Sequence, residues 1–214
     1  MIEIKSFTKK YDDLTVYENF SIEIEEGKIT AILGASGVGK TTLLNALAGL
    51  TDYEGEITGE IAPVSFVFQD DRLLPFATVQ KNLEFALGKG DYSQELRSVG
   101  LEGCEGKLPG QLSGGMARRV ALLRAFLRKS KLLLMDEPFG SLDIGVKYRL
   151  MNLFLRLWES DKRTTLLVTH NVDEAMYLSH RVVVIGDKGS ILLDKPNDGE
   201  NLRREIISLF STEK

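Results

Sequence analysis

Gly34-Ala35-Ser36-Gly37-Val38-Gly39-Lys40-Thr41 fits the pattern G-x-x-x-x-G-K-[ST], and it lies between the apolar run 29–33 and a helical pattern over 42–48. A strand that ends in glycines and turns directly into a helix leaves successive backbone N–H groups pointing inward. The helix N-terminus adds its positive end to them. Such a loop cradles phosphates. Lys40 then neutralises the β- and γ-phosphates, and the Thr41 hydroxyl is placed to ligate Mg²⁺. A strand–loop–helix unit of this kind belongs to an α/β fold.

Two further apolar runs extend the pattern. Residues 132–135 lead into Asp136 and Glu137, and residues 165–169 lead into His170. Each run is followed by a helix-like segment, which predicts a mostly parallel sheet buried on both faces. All three runs then finish in polar residues at one edge of the sheet, where open α/β sheets bind ligands. A carboxylate there can hold Mg²⁺ through water, and a second one can deprotonate an attacking water. The first 35 residues read as strands, with Ile2/Ile4 and Ile22/Ile24 alternating against charged neighbours. Leu150, Leu153, Phe154, Leu157 and Trp158 recur at helical spacing as core, and 182–185 with 191–194 reads as a terminal hairpin. From about 71 to 129 the pattern is mostly helical, a subdomain inserted between strands of one domain spanning 1–214. His180, beside Arg181 and away from any strand end, reads as a surface residue.

Leu112-Ser113-Gly114-Gly115-Met116 opens another helical run. Ser113 reads as an N-cap, while two glycines weaken a helix start unless something approaches the backbone closely. A phosphate is such a thing. Arg118, Arg119, Arg124, Arg128, Lys129 and Lys131 read as a solvated face, because 27 Lys and Arg against 31 Asp and Glu give a net charge of −4. That acidic balance argues against a dedicated nucleic-acid binder. The single Cys104 excludes an internal disulfide and suits a reducing compartment. No signal-peptide h-region opens the chain, and no apolar run approaches the ~20 residues that a membrane span needs. Any membrane connection is expected through a partner.

Together these motifs resemble the ATP-binding subunit of an ATP-binding-cassette (ABC) transporter over essentially the whole chain. The resemblance rests on Gly34–Thr41 (Walker A), Gln69 (Q-loop), 112–116 (signature), 132–137 (Walker B and catalytic Glu), Ser141-Leu142-Asp143 (D-loop) and His170 (switch histidine). It implies a P-loop NTPase (RecA-like) core, an N-terminal antiparallel β subdomain and the inserted helical subdomain. It also implies that two such subunits, most simply identical, sandwich ATP and Mg²⁺. Tyr11 would stack on adenine, and Gly34, Ala35, Ser36, Gly37, Val38, Gly39, Lys40, Thr41 and Thr42 would hold the phosphates. Ser113, Gly114 and Gly115 would reach the γ-phosphate of the opposite subunit, with Asp143 communicating across the dimer. Thr41, Gln69 and Asp136 would serve the metal, Glu137 would act as base, and Gln69, His170 and Lys40 would complete the catalytic set. Met116 stands where the family most often has Gln, and a Met side chain cannot donate a hydrogen bond to the opposing nucleotide.

The stretch 71–79, with a signature ending in Met, is similar to the nitrate/sulfonate/taurine-type importer branch. An integral membrane permease would dock near Arg72, Leu73, Leu74 and Phe76 at the cytoplasmic face of the inner membrane, and a substrate-binding protein would complete an importer. Export is the alternative direction. A soluble ABC ATPase of DNA repair or translation would usually carry two cassettes, coiled-coil or zinc insertions, or basic tails. A silent regulatory cassette tends to lose one of Lys40, Glu137 and His170, all present here.

Overall fold

The computed structural model describes residues 1–140 and 142–212. At the start of the chain β1 (Ile2–Tyr11) and β2 (Leu14–Ile24) pair antiparallel, with Ile2 opposite Ile24 and Ile4 opposite Ile22. These isoleucines are buried while their charged neighbours face outward, so the alternation fixes the register. Next come β3 (Ile29–Leu33) and α1 (Lys40–Leu47). The short strand β4 (Glu54–Thr58) then closes a three-stranded sheet in the order β2-β1-β4.

The second sheet holds the rest of the strands. Its members besides β3 are β5 (Val64–Val67), β6 (Leu132–Asp136), β7 (Thr164–Val168), β8 (Arg181–Ile185) and β9 (Ile191–Pro196). Their order is β5-β6-β7-β3-β8-β9, parallel throughout except for the antiparallel edge strand β9. Every residue of β3, β6 and β7 is buried, as expected for strands covered on both faces. Leu132, Leu134, Leu166 and Val168 pack on the β1–β2 side with Leu43 and Leu47 of α1. Their alternates Leu133, Met135 and Leu167 pack on the other face against Val120, Phe126, Leu150 and Phe154. Complete burial of each such side chain contributes about 1.5–3 kcal/mol relative to exposure.

Between β5 and β6 the chain forms α2 (Val79–Leu87), α3 (Ser93–Ser98), a 3₁₀ turn at Pro109–Gln111 and α4 (Gly114–Leu127). Loops occupy much of this segment. Asn82 organises one of them: its amide donates to the carbonyls of Leu74, Ala77 and Thr78, and its Oδ1 accepts from the Leu74 N–H. The remaining helices are α5 (Ile144–Asp161), α6 (Val172–Leu178) and α7 (Glu200–Thr212). The β8–β9 hairpin is therefore not terminal. α7 follows it and buries Leu202 and Ile206 against the helical face of the core. Among the described residues no helix is long and apolar enough to cross a membrane.

His180 differs from its sequence reading as a surface residue. Its Nδ1 accepts a hydrogen bond from the Ile29 N–H at 3.1 Å, and its ring lies 4.8 Å from the Trp158 ring centroid. The imidazole therefore fixes the entry into β3 in its neutral form. Burial holds its pKa below the ordinary value, with Lys28 adding to the shift. As pH falls through about 6.5, the unfolded chain binds a proton that the folded chain resists, so this contribution to stability disappears toward acid. The loss of melting temperature caused by His180→Gln should accordingly be largest above pH 7 and shrink toward pH 5. A gap of constant size in thermal melts at both ends of that range would show that the histidine is not neutral in the fold.

Candidate nucleotide site

Four neighbouring strands deliver the site. In the run β5-β6-β7-β3, Val67 lies opposite Met135, Asp136 opposite Val168, and Val168 opposite Ile32. Their carboxyl ends are therefore level. Phe68-Gln69, Asp136-Glu137, Thr169-His170 and the loop from Gly34 all leave the sheet at one edge. Two adjoining cavities open there. One of about 450 Å³ is lined by Ser36, Gln69, Asp70, Arg118, Glu137, Gly140 and His170. The other, about 260 Å³, is lined by Ser36, Gly37, Gly39, Lys40, Thr41, Thr42, Gln69, Asp136 and Glu137.

The loop is shaped by its glycines. Gly37 and Gly39 have φ of 85° and 106°, in the left-handed region. A Cβ on Gly39 would stand 2.5 Å from Val16 Cγ1, so β2 can touch the loop only where glycine stands. Lys40 is 6% exposed, and its ammonium donates to the carbonyls of Gly34 at 2.8 Å and Ala35 at 2.9 Å. Burial lowers its pKa, opposed by the nearby Glu137 and Asp136. Val38 packs against the β1–β2 side of the core.

Asp136 is buried, and its Oδ1 has no hydrogen-bond partner. Burial pushes its carboxyl up, against a hydrogen bond from Thr41 that lowers it. An orphaned carboxylate oxygen beside a threonine hydroxyl is a donor set that suits a hard divalent cation such as Mg²⁺. Among the described residues no group of three or more acidic, His or Cys side chains could hold a metal. Nucleotide oxygens and water would have to complete its shell.

Glu137 follows in a left-handed conformation, φ 45°, uncommon for a residue with a side chain. Its N–H donates to Val168 O at 2.9 Å, and its Oε1 lies 2.8 Å from His170 Nδ1. Thr169, read in the sequence only as the end of an apolar run, has its hydroxyl 3.4 Å from Glu137 Oε2 and donates at 3.0 Å to buried Glu174. Glu174 in turn accepts from Lys147 Nζ at 2.6 Å, which ties α6 to the start of α5. No motif marked this chain; only folding brings its members together.

Other residues singled out in the sequence lie apart from these cavities. Tyr11 is exposed at the end of β1 and takes the Lys9 ammonium 4.6 Å from its ring centroid. Ser113 caps α4, its hydroxyl accepting from the Met116 N–H at 3.3 Å. Gly114 is exposed and Gly115 half-buried, and a Cβ on either would meet nothing of this chain. Asp143 is exposed ahead of α5, and Ser141 lies outside the described residues. The basic run is not a solvated face throughout. Arg118 is 3% exposed, Arg119 donates to Val99 O and Gly100 O, and Arg124 donates to Asp71 O and Arg72 O. Loop carbonyls that no helix or strand satisfies are what draw these guanidinium groups inward.

A family model described as ABC transporter matches residues 17–140, more than half of the 214 residues. The chain belongs to the ABC transporter family. The aliphatic sulfonates import ATP-binding protein SsuB of Streptomyces avermitilis is 44% identical over 200 residues, covering 90% of this chain and 79% of that protein. Its namesake from Bacillus cereus is 40% identical over 198 residues, covering 86% and 79%. Among solved structures, the dimeric cassette of a bacterial ABC transporter superposes with TM-score 0.80 at 30% identity, covering 93% of this chain and all of that one. A post-hydrolysis dimer of the same cassette, bound to ADP and phosphate, gives 0.79 at 28% identity. This chain is thus an ATP-binding and ATP-hydrolysing cassette with the P-loop fold expected from its sequence.

Within the cassette, Met116 packs against the helical face of the core. Replacing a partly buried thioether by an amide removes apolar contact worth about 1 kcal/mol. Met116→Gln should therefore lower the melting temperature by about 2–4 °C, the shift expected for that loss in a chain of this size. An unchanged or higher melting temperature in calorimetry would exclude the packing role.

Proposed function

We propose that this cassette hydrolyses Mg²⁺–ATP at the Lys40–Glu137–His170 edge, pairs with a second cassette, and drives solute import through a membrane permease at the cytoplasmic face of the membrane. The observation that carries the reading is the 2.8 Å contact between Glu137 and His170 beside the phosphate loop. It brings a general base and a group able to hold the γ-phosphate into one cavity. An organic anion of the sulfonate class is the proposed cargo, supported by the names of the relatives.

Each side chain has a task that its surroundings suit. Lys40 exchanges the carbonyls of Gly34 and Ala35 for β- and γ-phosphate oxygens, a stronger charge-assisted bond. Thr41 and Asp136 would hold Mg²⁺, which when bound would supply neutralisation of the phosphate charge. Gln69 positions the attacking water between the two cavities it lines. Glu137 takes the proton from that water, and His170 holds Glu137 in orientation and steadies the γ-phosphate. Tyr11 stacks on adenine from the β1–β2 hairpin. Ser113, Gly114 and Gly115 reach the γ-phosphate bound to the partner cassette, which accounts for glycines that nothing in their own chain requires. Asp143 lies on the same route across the dimer.

Exposure supports the docking site as well. Phe76 is 96% exposed and Leu74 39%, whereas an ordinary buried loop would hide them. Arg72 is exposed, with its guanidinium 3.6 Å from the Phe68 ring centroid, while Leu73 is half-buried and packs partly against the core. A short permease helix would lay its apolar face over Leu74 and Phe76.

Glu137→Gln should retain ATP binding and lose roughly 10²-fold or more in turnover, the usual consequence of removing a positioned base. Hydrolysis at the wild-type rate would remove Glu137 from that role. Phe76→Asp should leave melting and ATPase activity intact but abolish recovery of the cassette with its permease, since an anchor at an interface centre is commonly worth ~2–4 kcal/mol. Retained co-purification with membranes would place the docking surface elsewhere.

A further inference from the structure

Arg118 stands out among the groups that the proposed chemistry leaves unused. It lies on the second turn of α4, five residues beyond the capping Ser113, and is 3% exposed. Its guanidinium ends among four backbone carbonyls from two loops. Nε donates to Pro138 O at 2.9 Å and one terminal nitrogen to Glu137 O at 3.0 Å. The other terminal nitrogen donates to Phe68 O at 2.6 Å and Gln69 O at 3.1 Å, with Asp71 Oδ1 at 3.4 Å. Burial lowers the guanidinium pKa, and Asp71 opposes that shift.

Buried arginine is expensive unless its donors are satisfied, and here its bonds span both loops. Those loops are the ones whose side chains, Gln69 and Glu137, line both cavities of the nucleotide site. Glu137 also carries the left-handed φ of 45°, a conformation that persists only when neighbours hold it. The bond to its carbonyl is such a hold. The same side chain is anchored on the helix whose first residues are Gly114 and Gly115.

We propose that Arg118 is a positioning residue that fixes the backbones of Gln69 and Glu137 against each other from α4. The general base is then in register with the attacking water only while α4 sits against both loops. This rests on the hydrolytic reading above. The fork geometry matters more than the charge, because an ammonium offers no planar set of donors to carbonyls on opposite sides. Displacement of α4 relative to the sheet would disturb the two loops together, so the seating of one helix sets the rate of hydrolysis without touching the phosphate loop.

Arg118→Met and Arg118→Lys, alone and combined with Glu137→Gln, test this below the melting temperature of each variant. Turnover should fall roughly 10²-fold in Arg118→Met, and nearly as far in Arg118→Lys, as displaced catalytic groups commonly cause. Nucleotide affinity, read by ADP titration, should stay within about threefold, since Lys40 and its loop are untouched. In the Glu137→Gln background the Arg118 substitutions should slow hydrolysis by no more than about twofold, because both residues act through the same base. A merely structural arginine would instead give losses that multiply, or affinity falling in step with turnover, and either result overturns the proposal. So does wild-type turnover in Arg118→Lys. If Arg118→Met fails to fold, the same measurements on Arg118→Lys decide the matter. A fully active Glu137→Gln would refute the hydrolytic reading itself, whereas additive losses beside an inactive Glu137→Gln refute only the role of Arg118.

Discussion

The level pairing of β5, β6, β7 and β3 is the constraint on which the rest depends. Four strands end at one height, so four loops meet without any of them having to be long. That register is enforced by burial. Leu132 and Leu134 face one apolar layer while Leu133 and Met135 face the other, and both layers are closed. A slip of one residue in β6 would exchange its faces against cores of different shape. It would also shift Asp136 along the strand axis by about 3.3 Å, away from the Thr41 hydroxyl that it meets.

The site concentrates arrangements that an ordinary core avoids. Lys40 is buried against carbonyls, Asp136 keeps a buried oxygen without a partner, and Glu137 holds a left-handed backbone. Each is unfavourable by itself, the backbone at Glu137 by about 1–3 kcal/mol. Together they describe a surface built for a ligand rather than for stability, one in which a bound nucleotide supplies what the protein lacks. The surrounding strands tolerate this because they are fully buried and in register.

Much of this was legible in the sequence because it is local. The loop from Gly34 to Thr41, the acidic pair after 132–135 and His170 after 165–169 each occupy a few consecutive residues beside an apolar run. What was hidden depends on distance along the chain. Arg118 reads as one member of a basic run, and only folding brings it to carbonyls 19 to 50 residues away. Glu174 meets Lys147 across two helices, and His180 meets Ile29, 151 residues away in sequence, from the start of the neighbouring strand β8. β5, which delivers Gln69, is just four residues long and too short to stand out by periodicity. α7 escaped because a hairpin ahead of it gave a plausible end to the fold.

Trp158 is the one tryptophan of the chain. It sits 3% exposed at the end of α5, its indole N–H donating to Arg163 O at 2.7 Å and its ring beside His180. Its neighbours His180 and Arg163 flank the starts of β8 and β7, so it belongs to the opposite edge of the sheet from Lys40 and Glu137. Intrinsic fluorescence is therefore wired to the wrong end of the molecule for following ATP. Emission excited at tryptophan wavelengths reports whether the strand entrances are assembled, and an optical signal for nucleotide occupancy has to come from a dye placed at the carboxyl edge.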